Sequence, residues 1–309
     1  MSPPRPSTFS IVARDPENEA VGIAVQSKFV AVGSVVPFAS ADAGAVATQS
    51  FANVAYGPDG LDLLREGRTA AETIEALTSA DEEAETRQIG IVGRDGSVAA
   101  FTGEECFDVA GDLQGETYTV QGNILENEET LAAMAETYES TAAGLPERLL
   151  AALHAGNDAG GDSRGEQGAA MYIAKAGGGY DGGNDRWVDV RVDDHDSPIE
   201  ELERVFKLYD VTLLERVEPE ETRSLSGETA EAVLETLAGL GFYEGTPREE
   251  FGAAGHEALE SFRGVNNFEN HSVPTLEDAL ARGWDEASGA GEDRMVDAIW
   301  NGLSRLDRV

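Results

Sequence analysis

Apolar and polar residues alternate in TFSIVARD, residues 8–15, which predicts a half-buried β-strand. After a DPENE turn, AVGIAVQSKF, residues 20–29, predicts the hairpin partner of this strand. Two nearly continuous apolar runs follow at residues 31–38 and 43–51. Such runs are typical of strands that are covered on both faces. The pattern therefore predicts that the chain begins by building a buried sheet.

Apolar residues then recur at the helical period in two pairs of segments. The first pair is 57–67 and 69–81, and the second of these starts with the capping-box spacing of Thr69 and Glu72. The second pair is 131–140 and 145–156, with Gly156 expected just beyond the helix end. The remaining predicted elements are a hairpin at 87–103 that turns at Asp95-Gly96, strands at 118–123, 169–175 and 186–194, and a helix at 198–210.

The predicted strands and helix pairs follow one another in blocks. This order favours hairpin sheets with helices on their outer faces over a doubly wound sheet. We therefore expect an α+β fold, a four-layer αββα sandwich over residues 8–212, behind a flexible leader at residues 1–7. The charged stretch 213–224 is predicted to be a linker, and residues 225–309 a mostly helical domain with apolar residues at helical spacing.

The net charge of the chain limits the partners that it can bind. The 309 residues include 59 acidic and 22 basic side chains, a formal net charge of −37. Nucleic acid is excluded as a partner because binding a phosphate backbone requires a basic surface. Only three lysines occur, and the acidic residues lie between periodic apolar positions, so we interpret them as the solvated surface of a protein from a very salty cytoplasm. The chain shows no apolar run of about 20 residues and no export signal, which predicts a cytoplasmic protein without a membrane partner.

The first candidate for chemistry is Thr8, which opens the first predicted strand. In N-terminal nucleophile hydrolases the residue at this place attacks with its side chain, and its own free α-amine serves as the general base. Because residues 1–7 block that amine, the hypothesis requires cleavage between Ser7 and Thr8. The alternative is that Thr8 is an ordinary β-branched strand starter behind a frayed end.

Two further segments offer polar groups. The glycine-rich loop at residues 156–167 contains Asp162 and Arg164, which either bind a polar or anionic substrate or hold a tight turn. Gln121 and Asn123 end a predicted strand, and their amides either stabilise an oxyanion or cap the following loop.

RVDDH, residues 191–195, closes the last predicted strand with two carboxylates and an imidazole. It supplies one histidine, so an ion-paired strand end is favoured over a metal site, and we expect neither a metal nor a cofactor. The single cysteine, Cys106, excludes an internal disulfide and is interpreted as a small, half-buried residue.

In their order, eight segments resemble the family catalogued as domain of unknown function 1028: TFSIVARD, SKFVAVGSVVPFA, GAVATQSFANVAYGPDGLDLL, RQIGIV, FTG, VQGN, AGGDSRGEQ and RVDDH. The resemblance covers residues 8–209, implies an N-terminal nucleophile hydrolase-like fold and suggests amide hydrolysis. Lys28 would help to polarise the threonine hydroxyl. This sequence departs from the family pattern at two places. Family members commonly carry Met directly before the residue that corresponds to Thr8, and they commonly carry Ser at the position of Gly168. The residues that the resemblance implies for the cleft are Thr8, Lys28, Gln121, Asn123, Asp162 and Arg164.

The tail, VLETLAGLGFYEG with FGAAGHEALESFRGVNNFE, is similar to the peptidoglycan-binding domain that is sometimes fused behind this family. The alternative is a generic helical bundle that packs on the first domain or on a partner. The resulting hypothesis is an N-terminal nucleophile amidohydrolase from a halophilic archaeon, a homo-oligomer that acts on a small amide or peptide-like substrate. Its rival is a non-catalytic binding or assembly protein that uses the helical tail as its contact surface.

Overall fold

The computed structural model describes residues 8–107 and 109–309, and the predicted leader, residues 1–7, lies outside them. The strands are Thr8–Asp15 (β1), Ala20–Ser27 (β2), Pro37–Ser40 (β3), Gly44–Ser50 (β4), Arg87–Gly93 (β5), Val98–Thr102 (β6), Gly111–Gln114 (β7), Tyr118–Asn123 (β8), Gly168–Lys175 (β9) and Arg186–Val192 (β10). The helices are Tyr56–Arg65 (α1), Ala70–Ser79 (α2), Glu129–Ser140 (α3), Leu145–Asp158 (α4), Pro198–Leu213 (α5), Gly227–Gly239 (α6), Gly252–Val265 (α7), Val273–Gly283 (α8) and Gly291–Leu303 (α9). Two compact units divide within α5, one ending at Glu203 and the other starting at Arg204, so the division precedes the predicted linker at 213–224.

Two antiparallel sheets form the first unit. The larger has the strand order β10-β9-β2-β1-β8-β7, and the smaller has the order β3-β4-β5-β6. Between the sheets lies an apolar core that includes Val12, Ile23, Val25, Ala45, Ala47 and Val92.

Helices cover both outer faces of this pair of sheets. Helices α1 and α2 pack on the smaller sheet, where Leu61, Leu64 and Ile74 meet the strand residues Ile89 and Ile91. Helices α3 and α4 contact the larger sheet, along β8 and β1 respectively. The predicted α+β class and the four-layer αββα order are confirmed.

Local signals place several elements correctly. β1 runs over Thr8–Asp15, the range that the alternating pattern predicts. The capping box at the start of α2 is formed, with the Thr69 hydroxyl accepting from the Glu72 N–H while the Glu72 carboxylate accepts from the Thr69 N–H. The hairpin of β5 and β6 turns at Gly96, whose φ of 91° suits glycine.

The prediction of a strand over residues 31–38 is wrong. Ala31 adopts a left-handed φ of 55°, a short three-ten turn follows at Val32–Ser34, and extended structure begins only at Pro37. Gly33 permits this path because a Cβ there would lie 2.6 Å from the Cβ of Ala170. An apolar run that looked like a strand is therefore a turn pressed against the larger sheet.

Two smaller features also differ from the sequence pattern. Gly156 lies inside α4, which continues to Asp158. Glycine suits this position because a Cβ would lie 2.7 Å from the Cγ of Met134 on α3. The short strand β7 was not predicted, since GDLQ lacks an alternating apolar pattern and forms through pairing with β8.

The second unit is helical, as predicted. A buried carboxylate, Asp210, accepts hydrogen bonds from the guanidinium groups of Arg216 and Arg308 and from the indole N–H of Trp300. Asp210 is 1% exposed, and these donors compensate the negative charge of its buried carboxylate. The apolar core of this unit includes Val233, Leu234, Leu237, Leu259, Phe262, Phe268, Leu276, Leu280, Met295 and Ile299.

Candidate active site

Thr8 begins β1, a central strand of the larger sheet, and is 4% exposed. Its register partner across the ladder is Asn123 on β8. The Thr8 hydroxyl donates to the Oγ of Ser27, the last residue of β2, over 3.1 Å. Alternate residues of a strand share one face, so Thr8 lies on the same side as Ser10, which bonds to Gln49 of the smaller sheet. The Thr8 side chain therefore faces the space between the two sheets.

A network of buried polar side chains joins the sheets beside Thr8. The Ser10 hydroxyl donates to the Oε1 of Gln49 over 2.6 Å, and the Nε2 of Gln121 donates to the Ser10 Oγ over 2.6 Å. The amides of Gln49 and Asn123 both donate to the Oε1 of Gln88, over 2.8 and 2.9 Å. Such a network fixes how the two sheets are aligned, because breaking one member leaves a buried polar group unpaired.

The side-chain amides of Gln121 and Asn123, which were predicted to bind an oxyanion, are both part of this network. Gln121 uses its Nε2 for the hydroxyl and carbonyl oxygens of Ser10. Asn123 lies directly across from Thr8 and donates from Nδ2 to Gln88. The structure thus brings Asn123 next to Thr8 and places the Gln121 amide within the inter-sheet network.

Asp162 ties the glycine-rich loop to the end of β2. Its carboxylate, with no exposed side-chain surface, accepts from the Lys28 N–H over 2.7 Å and from the Arg164 N–H over 2.9 Å. The Arg164 guanidinium adds two bonds, of 3.1 and 2.9 Å. These contacts correspond to the alternative of a tight turn rather than to a carboxylate open to a substrate.

Lys28 is exposed, and its ammonium group donates to the carbonyl oxygen of Glu166 over 2.7 Å. No hydrogen bond joins Lys28 to Thr8 within residues 8–107 and 109–309. The structure therefore joins Lys28, which directly follows β2, to Asp162 and Arg164 of the glycine-rich loop, and these three residues are called the clasp below.

A cavity of about 290 Å³ opens beside Thr8. Gln49 and Ser50 at the end of β4 and Arg87 at the start of β5 also contribute to its wall. The rest of the wall is apolar and consists of Phe29, Val32, Val35, Val36, Phe51 and Ala52.

The charge of Arg87 at this cavity is compensated. Its guanidinium forms ion pairs with Asp81 at 3.0 Å and with Glu83 at 2.8 Å, and it donates to the carbonyl of Phe51 over 2.6 Å. The Arg87 guanidinium also holds the pKa of the Asp81 carboxyl well below its usual range. Arg87 therefore anchors the wall of the cavity and brings little net charge into it.

Ser50 combines two costly features at the same wall. Its φ of 67° lies in the left-handed region, which a non-glycine residue rarely adopts. Its hydroxyl is buried, and its contact with the Cys106 thiol falls short of regular hydrogen-bond geometry. Strained backbone and unsatisfied polar groups concentrate at functional sites, so Ser50 joins the candidate residues.

The other sequence candidates are not among the residues that line this cavity. At the end of β10, Arg191 pairs with Asp193 over 3.1 Å, as expected for an ion-paired strand end. No cluster of three His, Cys, Asp or Glu side chains that could hold a metal occurs in the described part of the chain. Cys106 is half-buried, and burial raises the pKa of its thiol, which donates to the Arg87 carbonyl. Over residues 8–107 and 109–309, no helix is both long and apolar enough to cross a bilayer.

The sequence analysis did not find the polar residues that the smaller sheet contributes to the inter-sheet network and to the cavity wall. Gln49, Ser50 and Gln88 are polar residues within strands that are otherwise apolar on both faces, and this is the signal that could have found them. The valine residues of the wall could not be found because the apolar run at 31–38 predicts a strand.

Comparison with known proteins supports the division of the chain. Residues 8–202 match the model of a family of unknown function, DUF1028, and residues 212–300 match that of a peptidoglycan-binding-like domain. A crystal structure of a protein from Silicibacter pomeroyi, described with the same family model, is 32% identical to this chain. The likeness covers 66% of this chain and 89% of that one, with a TM-score of 0.61. No protein of curated function matches.

Proposed function

This chain belongs to the family of unknown function DUF1028, and from that premise we propose that it is an N-terminal nucleophile amidohydrolase for a small amide or peptide-like substrate. One observation carries the proposal: Thr8, the first residue of a central strand, has a buried hydroxyl at a cavity of substrate size. The position is the one that such hydrolases use, because a strand start is where a chain terminus and a side chain can act at one point.

In the proposed reaction, Thr8 is the first residue of the active chain and its α-amine is free. The hydroxyl oxygen attacks the carbonyl carbon of the substrate while the amine accepts the hydroxyl proton. The C–N bond then breaks, and the ammonium returns this proton to the leaving amine. Water hydrolyses the resulting ester and releases the carboxylic acid, which restores the threonine hydroxyl.

The remaining site residues divide into two groups in this proposal. Asn123, opposite Thr8 in the sheet, orients the oxyanion, and Gln121 positions β1 through Ser10. In this proposal Lys28 and Arg164, both bonded to the Asp162 carboxylate, fix the glycine-rich loop against the end of β2, and the three act as positioning residues. No metal or cofactor takes part in the proposed steps.

The test compares chains prepared to begin at Thr8, released from a cleavable fusion. A panel of small amides should be hydrolysed by this chain, and Thr8→Ala should lower kcat by at least about 10³-fold because the nucleophile is lost. Thr78→Ala on α2, at a threonine that does not line the cavity and whose hydroxyl donates to the Ile74 carbonyl of its own helix, is the matched control and should keep the full rate. Equal rates for the Thr8→Ala variant and the control would overturn the proposal.

The rival proposal is a binding or assembly protein without catalysis. The match of residues 212–300 to a peptidoglycan-binding-like domain favours this class, since such a domain provides attachment rather than chemistry. It would be supported if the chain beginning at Thr8 hydrolyses no amide of the panel while Ala substitutions in α6 to α9 abolish complex formation.

A further inference from the structure

Resting on the proposed function, we infer that the cavity beside Thr8 is the acyl-binding pocket and that it takes a compact, apolar, uncharged acyl group. The class of substrate follows from three features of the cavity: what its wall is made of, which polar groups remain available, and how large it is.

The wall next to Thr8 is apolar and rigid. Val32, Val35 and Val36 come from the short turn that replaces the predicted strand, and both ends of this segment are fixed. The Ala31 N–H donates to the Asp193 carbonyl over 2.8 Å, and the Thr48 N–H donates to the carbonyl of Val36 over 3.1 Å. A pre-formed apolar wall stabilises an apolar acyl group in proportion to the area that the group buries.

A charged acyl group would find no compensation here. Arg87 already forms ion pairs with Asp81 and Glu83. The Gln49 amide is already hydrogen-bonded to Ser10 and Gln88. Burying a carboxylate or an ammonium without a partner is strongly unfavourable. The pocket therefore selects against substrates with a second charge on the acyl side.

The Ser50 hydroxyl supplies one polar contact. It is buried at the cavity wall, its contact with the Cys106 thiol falls short of regular hydrogen-bond geometry, and its backbone is held in a left-handed conformation. An amide N–H or carbonyl of the acyl group would satisfy this hydroxyl. The substrate that fits has an apolar body and one hydrogen-bonding group close to the scissile amide.

The volume of the cavity limits the size of the group. About 290 Å³ corresponds to roughly ten water molecules at about 30 Å³ each. This volume lies at the lower end of the range of about 300–1,000 Å³ that holds drug-sized ligands. It fits the side chain of one large apolar amino acid, and any longer part of a substrate would extend out of the cavity into solvent.

The experiment uses the chain that begins at Thr8 and a series of anilides that share one fluorescent amine. The acyl groups are acetyl, 4-methylpentanoyl, 3-phenylpropanoyl and succinyl. We expect kcat/KM for 4-methylpentanoyl to exceed that for succinyl by at least about 100-fold, since a buried charge adds to the lost apolar contact. A succinyl anilide that is hydrolysed as well as the apolar ones would overturn the inference while leaving the proposed function intact.

Variants of one wall residue test the location of the pocket. Val35 is half-buried and lies outside the inter-sheet core, so Val35→Phe should fold and fill part of the cavity. We expect it to lower kcat/KM for 3-phenylpropanoyl by about 10- to 100-fold and to leave the acetyl substrate nearly unchanged. Val54→Phe, at an exposed valine, is the matched control and should leave both values as they are. Equal effects of the two variants would contradict the assignment.

A binding measurement separates the two ideas if no anilide is hydrolysed. Calorimetry with 4-methylpentanamide on the Thr8→Ala chain reports on the pocket without catalysis. Binding that Val35→Phe weakens at least about tenfold would support the pocket and count against the proposed function. No binding, together with no hydrolysis, would overturn both.

Discussion

Asp162→Asn should destabilise the first unit because this carboxylate accepts four hydrogen bonds in a site without exposed side-chain surface. The donors are the backbone N–H groups of Lys28 and Arg164, at 2.7 and 2.9 Å, and two groups of the Arg164 guanidinium, at 3.1 and 2.9 Å. Asparagine keeps one oxygen and replaces the other with an NH₂ group, which cannot accept from Lys28. It also leaves the Arg164 guanidinium without its opposite charge.

The magnitude follows from these contacts. One lost hydrogen bond to a charged group costs about 1.5–3 kcal/mol, and breaking a buried ion pair costs about 3–5 kcal/mol. These losses overlap, so we expect the free energy of unfolding to fall by about 3–5 kcal/mol, measured by urea denaturation. Asp196→Asn, at an exposed aspartate close to the end of β10, is the control and should change it by less than about 0.5 kcal/mol.

Two results would refute this reasoning. A loss below about 1 kcal/mol would show that the clasp of Lys28, Asp162 and Arg164 contributes little to the fold. Unchanged stability with lost turnover would instead make Asp162 a substrate-binding residue, as the sequence suggested.

Three further outcomes follow from the structure. Ser50→Gly relieves a left-handed φ and removes an unsatisfied hydroxyl, so Tm should rise while turnover falls; a lower Tm would contradict this. Burial lowers the pKa of His271 from 6.5 to about 4. The neutral imidazole therefore contributes fully to the free energy of unfolding above pH 6.5, and about 3 kcal/mol of that free energy is lost as the pH falls toward 4. His271→Gln should flatten the pH dependence of the unfolding free energy of the second unit, and a curve parallel to that of the parent would refute the assignment. With a net charge of −37, Tm should rise from low salt to molar KCl, and a Tm that is flat across this range would contradict the charge argument.

Much of the fold was predictable because its elements carry the period of their own secondary structure. β1 at Thr8–Asp15 and β8 at Tyr118–Asn123 occupy the predicted ranges. The failure at 31–38 has a long-range cause, since the turn depends on Gly33 packing against Ala170 and on a left-handed Ala31. A local apolar pattern carries no information on the packing of Gly33 against Ala170 or on the backbone conformation of Ala31.

The site was predictable in part for the same reason. Thr8 could be found because a strand start is visible in the sequence. The roles of Gln49 and Gln88 in the network between the sheets could not be assigned, because their contacts depend on how the second sheet lies over the first. The glycine-rich loop of Asp162 is visible in the sequence, whereas the bonds from Asp162 to Lys28 and Arg164 appear only in the folded structure.

The central claim is that the Thr8 hydroxyl attacks an acyl group when its α-amine is free. The most direct measurement is intact mass, followed by peptide mapping, after reaction with a 4-methylpentanoyl electrophile. We predict one acyl adduct on the Thr8 hydroxyl of the chain that begins at Thr8, and none on the chain that keeps residues 1–7. An adduct on another residue, or equal labelling of both chains, would contradict the account.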